Sequence, residues 1–272
     1  MMSRVKVIAK KIIPADTRMF LRRVEARCNN IFNPYKWILY VEWLMFRLKY
    51  NNYCSRGLRA VNVEIVNHER MRQEDVIEKI LSMHKGQSFL EIGIGSSPRI
   101  GRLKHVRLSD TKYTGCDFQS VCDKHRAILE KVGDIELCDI RFVANKVGTY
   151  SWNLFEMVKN NERFDVVYLD GHHTFYVDLP ALVLGHYLLK PGGYYLVDDI
   201  QWTLDFMKGQ LVNMFDEWLF YRRMYNFSDY TDIQKRIAHV DMMVKTILID
   251  QHKYLKVEEY SSPYWCVLKK PV

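Results

Sequence analysis

From residue 88 to residue 197 short runs of β-branched, aromatic and aliphatic residues alternate with longer segments of helical periodicity, and no other feature limits the fold as strongly. Strands are predicted at 88–92, 113–117, 140–144, 164–170 and 194–197, and helices at 71–84, 120–131, 150–159 and 175–189. Phe164-Asp-Val-Val-Tyr-Leu-Asp170 has the unbroken apolar centre of a parallel strand covered on both faces. Glycines and prolines mark the breaks, at Gly93-Ile-Gly95-Ser-Ser97-Pro98 and at Pro191-Gly192-Gly193. Strands separated by helices of this length make βαβ units with right-handed crossovers, so the expected class is α/β, a doubly wound sheet whose strands are mostly parallel. Helical patterns follow at 204–223 and 232–249. Two strands at 254–260 and 265–268, joined through Ser261-Ser-Pro263, are expected as an antiparallel C-terminal hairpin on the sheet edge.

The 272 residues are 48% hydrophobic and 26% charged, which excludes low-complexity and wholly disordered chains. Six cysteines form no Cys-x-x-Cys pair and no zinc-spaced cluster, and no signal-peptide pattern opens the sequence, so a reducing cytoplasm is the expected setting. The longest strongly apolar run, 37–46, contains Glu42 and is far short of the roughly 20 residues of a membrane span.

The net charge of +8 is unevenly placed: residues 1–60 hold 13 Lys and Arg against Asp16, Glu25 and Glu42, which leaves the remainder slightly acidic. A body that gripped phosphates would carry the basic stripe itself, so a nucleic-acid partner is not expected. The division is therefore a basic, aromatic helical extension over 1–70 and an α/β domain over 71–272. Met19, Phe20, Leu21 and Val24 among arginines, then Trp37, Tyr40, Val41, Leu44 and Leu48, predict two amphipathic helices in the extension. Three roles are open for it: packing on the body or on a second subunit of a homo-oligomer, peripheral contact with an anionic membrane at its inner face, or contact with RNA.

Ligands of doubly wound sheets bind beyond the carboxyl ends of strands. Those ends carry Glu91-Ile-Gly93-Ile-Gly95-Ser-Ser97, Asp117, Asp170-Gly-His-His173 and Asp198-Asp199. Glycines at 93 and 95 allow close backbone approach, and an acid at Asp117, 22 residues past Gly95, is placed to accept ribose hydroxyls. A nucleoside-bearing cofactor is indicated, although Ser97 stands where a dinucleotide fingerprint has its third glycine. Asp170, Asp198 and Asp199 are hard oxygen donors at the ends of two strands expected to be neighbours, a set that suits Mg²⁺ or Mn²⁺. The alternative is that these aspartates cap the following helices.

Leu90-Glu-Ile-Gly-Ile-Gly95, Cys116-Asp117, Phe164-Asp-Val-Val-Tyr-Leu-Asp-Gly-His-His173 and Leu189-Lys-Pro-Gly-Gly-Tyr-Tyr-Leu-Val-Asp-Asp199 together resemble the class I S-adenosylmethionine-dependent methyltransferases, which have a Rossmann-like fold. More narrowly, D-G-x-H followed by L-K-P-G-G and D-D is similar to the metal-dependent O-methyltransferases of the macrocin and mycinamicin sugar group. The resemblance spans about residues 71–200. It implies that Glu91, Gly93, Gly95 and Ser97 hold the amino-acid part of S-adenosylmethionine, that Asp117 binds its ribose, and that residues 145–151 lie near the adenine. It implies a metal on Asp170, Asp198 and Asp199, with His173 as the base that takes a proton from a small-molecule or glycan hydroxyl, or as a residue that orients Asp170. Rival readings are an RNA methyltransferase, a non-catalytic cofactor-binding scaffold and a metal-dependent hydroxylase on the same scaffold.

Overall fold

The computed structural model describes residues 34–57, 72–83, 86–95, 97–132, 140–145, 149–215, 218–219 and 225–272; within 34–57, side chains are described from 37 to 49. The expected helix around residues 18–27 and the loop at 146–148 lie outside them. The chain divides into two compact units, residues 1–61 with 205–226 and residues 62–204 with 227–272.

The first unit contains α1 (Pro34–Gly57). In the second, α2 (Gln73–Ser82) precedes β1 (Ser88–Ile92), α3 (Ile100–Leu108), β2 (Lys112–Phe118), α4 (Gln119–Val132), β3 (Ile140–Asn145), α5 (Ser151–Lys159), β4 (Phe164–Leu169), α6 (Phe175–Leu188) and β5 (Leu189–Val197). The chain then forms α7 (Leu204–Asn213), most of which belongs to the first unit. It returns as α8 (Asp232–Lys235), α9 (His239–Met243) running into a π-helical stretch (Val244–Gln251), β6 (Leu255–Lys256) and β7 (Cys266–Lys269).

The seven strands lie in the order β3-β2-β1-β4-β5-β7-β6. β1 to β5 are mutually parallel and β7 runs antiparallel to β5, with β6 antiparallel to β7 at the rim. The protein is thus a Rossmann-like doubly wound α/β fold with an antiparallel C-terminal edge, as its alternating pattern predicts. Period-two strand geometry builds its two cores: Val167 and Leu169 of β4 join Leu90, Ile92 and Leu182 on one face, while Val166 and Tyr168 join Phe89, Ile77 and Ile80 on the other. Gly185 of α6 admits the buried Tyr195 ring, because a Cβ there would overlap the Tyr195 hydroxyl. Gly185→Ala is expected to destabilise by about 1–2 kcal/mol in a denaturant titration, since overpacking outweighs the gain in helix propensity.

Five elements differ from the sequence pattern: the helix expected over 204–223 ends at Asn213, and four others differ for a local reason. Helix α3 is absent from the expectation because its inward stripe carries Arg102, only 4% exposed, where periodicity calls for an apolar residue. Pro191-Gly192-Gly193 is taken up inside β5 as a bulge, where the register jumps from Phe164 opposite Leu189 to Val166 opposite Tyr194. The helix expected over 232–249 breaks before His239, because Ala238 is extended and bridges Thr203. The strand expected over 254–260 shrinks to β6: the Ser261 hydroxyl donates to the Val257 carbonyl at 2.8 Å and accepts from the Val267 amide at 3.0 Å, so the ladder ends and a 3₁₀ turn (Glu258–Tyr260) follows.

Candidate active site

Strand order reverses between β1 and β4, and the backbones knit together there. The Asp170 amide donates to the Ile92 carbonyl, the Gly93 amide to Cys116, and the Asp198 amide to Leu169, each at 2.9 Å. Gly93 (φ +84°) sits in the left-handed region, and any Cβ on it would collide with the Asp170 carbonyl oxygen. Gly95 (φ +71°) instead faces open space, leaving its backbone approachable. Ser97 is exposed beyond it.

Asp117 shapes this turn. Its carboxylate accepts the Ile94 amide at 2.9 Å and the Phe118 amide at 2.6 Å. Burial raises its pKa, while amides of Phe118, Ile94 and Gly95 oppose that rise by stabilising the anion. The imidazole Nε2 of the buried His125 lies 3.0 Å from the Gly95 carbonyl oxygen.

Glu91 is buried inside β1 and takes a hydrogen bond from the Tyr113 hydroxyl at 2.8 Å and an ion pair from Arg102. Arg102 also reaches Glu74 of α2, at 3.0 Å from Nε and 2.8 Å from Nη2, and its guanidinium lies 4.7 Å from the Tyr168 ring centroid. Both carboxylate oxygens of Glu91 are therefore engaged inside the protein, one by Arg102 and the other by Tyr113.

Asp170 follows β4 and Asp198-Asp199 follow β5, so adjacent parallel strands bring the acids together. Donor atoms of Asp170, His173 and Asp199 all lie within 4.8 Å of one another. His173 Nε2 is 3.5 Å from Asp199 Oδ2 and 3.9 Å from Asp170 Oδ1. The Asp198 carboxylate has protein partners, accepting the Tyr168 hydroxyl at 2.7 Å and the Asp199 amide at 2.9 Å. Arg99, at the start of α3, donates to Asp170 Oδ2 at 3.2 Å.

His173 (φ +59°) and Asp199 (φ +47°) both adopt left-handed backbone, a costly conformation for side-chain-bearing residues that gathers at working sites. Burial and the Asp198 carboxylate push Asp170 well above the usual carboxylate range, with Arg99 pulling the other way. The same two causes push Asp199 up to about 7. Burial lowers His173, which is therefore an uncharged imidazole at neutral pH, and its ring centroid lies 4.8 Å from that of Trp202. Crowded, desolvated carboxylates beside a neutral imidazole form a site that gains stability by taking up a cation.

No protein-family model matches the sequence, and no curated protein matches it either. Solved structures to which it is similar were found. They include an O-methyltransferase from Bacillus cereus in complex with SAH (12% identity, 81% of this chain and 91% of that one, TM-score 0.47). A candidate caffeoyl-CoA O-methyltransferase from Staphylococcus aureus gives 14% identity, 72% and 82% coverage and a TM-score of 0.48. The O-methyltransferase TomG from Streptomyces achromogenes, in complex with SAM, gives 11%, 74%, 80% and 0.45.

A second layer, which no sequence motif marked, holds the 170–173 loop. Asp178, 1% exposed in the first turn of α6, accepts the Tyr150 hydroxyl at 2.6 Å and the His172 amide at 2.9 Å. Gly171 must lack a side chain because a Cβ there would overlap Asp178 and Tyr150. His172 packs its Nδ1 2.9 Å from the Thr174 hydroxyl, and burial pushes its pKa down to about 4, so it too is neutral. His239 is a structural residue: its ring nitrogens meet the Phe175 amide at 3.2 Å and the Gln234 carbonyl at 2.8 Å. Asp178 in a helix's first turn was the one available signal; Arg99, Tyr113 and Trp202 left none.

Proposed function

We propose that this protein transfers a methyl group from S-adenosylmethionine to a hydroxyl of a small molecule or glycan, with a divalent cation, Mg²⁺ or Mn²⁺, at its acidic cluster. The observation that carries the reading is the convergence of Asp170, His173 and Asp199 beside the glycine turn, at the switch point of the sheet. Two carboxylates at this spacing fit a hard cation, with His173 beside them. The open space at Gly95 and the carboxylate of Asp117 fit a nucleoside-bearing ligand.

S-adenosylmethionine supplies an electrophilic methyl group on a sulfonium, and the cation, when bound, lowers the pKa of an alcohol near it. Asp170 and Asp199 would hold that cation, and Asp198, fixed by Tyr168, adds negative charge behind them. His173 keeps a neutral imidazole to accept the hydroxyl proton, and Trp202 covers its ring from water. Asp178 and Tyr150 fix the loop that sets the direction of His173. The Gly93–Gly95 turn and Asp117 orient the cofactor.

The test is incubation of the full chain with methyl-labelled S-adenosylmethionine and a panel of diols and glycans, with and without Mg²⁺, read by mass spectrometry. Label on an acceptor only when the cation is present supports the reading; absence of S-adenosylmethionine binding in calorimetry ends it. Asp117→Asn is expected to weaken S-adenosylmethionine binding by about 10- to 100-fold in the same calorimetry, the loss of a charge-assisted hydrogen-bond acceptor.

A further inference from the structure

Helix α1 presents an apolar face that the first unit does not cover. Leu39 and Trp43, 7% and 6% exposed, face inward. The Trp43 indole donates to the Leu211 carbonyl at 3.0 Å, Tyr40 and Trp43 each pack 5.5 Å from the Phe215 ring, and Phe46 lies 6.3 Å from Trp218. Trp37, Ile38, Val41, Leu44, Met45 and Leu48 point elsewhere. At 100° per residue they share an arc of about 120° on the opposite side of the helix. Leu48 is 77% exposed, Met45 67% and Ile38 57%.

Six large apolar side chains in one exposed stripe mark an interaction surface. Charge decides between occupants. Lys36, Arg47, Lys49 and Arg56 stand against Glu42 alone on this helix, and residues 1–60 carry 13 cations against three carboxylates. A second copy would bring the same positive charge to a twofold interface and be repelled, whereas an anionic lipid surface attracts it. Tryptophan and tyrosine beside the stripe suit the headgroup level of a bilayer. Among the described residues no helix is long and apolar enough to cross a membrane, so the helix would lie along the surface, where its 24 residues cover about 36 Å.

We propose that α1 docks on anionic bilayers by laying the Trp37–Ile38–Val41–Leu44–Met45–Leu48 stripe into the headgroup–acyl boundary. This holds whatever reaction the other unit catalyses. Flotation of the full chain with vesicles of phosphatidylcholine alone, and with roughly 30 mol% phosphatidylserine added, tests it. The wild type floats at least about tenfold better with the anionic vesicles and loses that advantage in high salt. Met45→Glu combined with Leu48→Glu, at solvent-facing positions, abolishes flotation without lowering the thermal midpoint; Ile38→Gln with Val41→Gln provides a second pair in case the first misfolds. Wild type left at the bottom with both vesicle types, or variants that float as well as wild type, overturns the proposal. So does a wild-type dimer in light scattering that the glutamate pair splits, which would assign the stripe to a second copy.

Discussion

Asp170→Asn is expected to cut the proposed methyl transfer by about 10³-fold, roughly 4 kcal/mol of transition-state stabilisation, while S-adenosylmethionine affinity stays within about threefold. The asymmetry follows from geometry. Asp170 faces His173 and Asp199 with one side of its carboxylate and Arg99 with the other, whereas the Gly93–Gly95 turn meets only its backbone. Mn²⁺ binding followed by electron paramagnetic resonance should fall with turnover, and chelation of the wild type by EDTA should reproduce the loss. Full activity of either protein in EDTA would remove the metal from the reaction. Stability should move the other way: an amide relieves the repulsion among Asp170, Asp198 and Asp199, so the metal-free variant melts about 2–4 °C higher, an effect of about 1 kcal/mol. Simple misfolding would lower both quantities.

Arg102→Leu is expected to cost about 3–5 kcal/mol of stability, enough to lower the thermal midpoint by about 10 °C. Its side chain is 1% exposed and that of Glu91 4%, and the pair lies on the sheet face that carries Tyr113, Tyr168 and α2. Burial opposes charge on Arg102, but Glu91 beside it raises the guanidinium pKa far enough to keep it ionised. Removing the cation alone strands a buried carboxylate with only the Tyr113 hydroxyl to serve it. Replacing Arg102 and Glu91 together by leucines should recover most of the loss, because desolvation of the pair largely offsets its attraction. A double variant no more stable than Arg102→Leu would show that Glu91 is not the group stranded.

The strands were legible because burial on both faces demands uninterrupted apolar runs, as in Val166-Val-Tyr-Leu169, and their ends were legible because acids and glycines break those runs abruptly. Asp117, Asp170, Asp198 and Asp199 could be singled out on that ground alone. Helix α3 was not, and the same cause hid two residues of the site. Arg99 and Arg102 look like ordinary surface cations on a weakly patterned segment, and only the tertiary arrangement turns one toward Asp170 and buries the other against Glu91. Expectation placed the metal on all three aspartates, with Asp170 and Asp198 foremost. The structure separates them: Tyr168 engages Asp198, and His173 stands with Asp170 and Asp199. A tyrosine inside an apolar strand reads as core packing, so no pattern in the chain announces its hydroxyl as a partner.

Because the Asp170 carbonyl oxygen fills the space that a Cβ on Gly93 would take, the two loops at the switch point pack backbone against backbone. A displacement of the glycine turn by a cofactor would reach the acidic side without any intervening side chain. Under the proposed function, S-adenosylmethionine and the cation are therefore expected to bind as a heterotropic pair, each altering the dissociation constant of the other by the same factor.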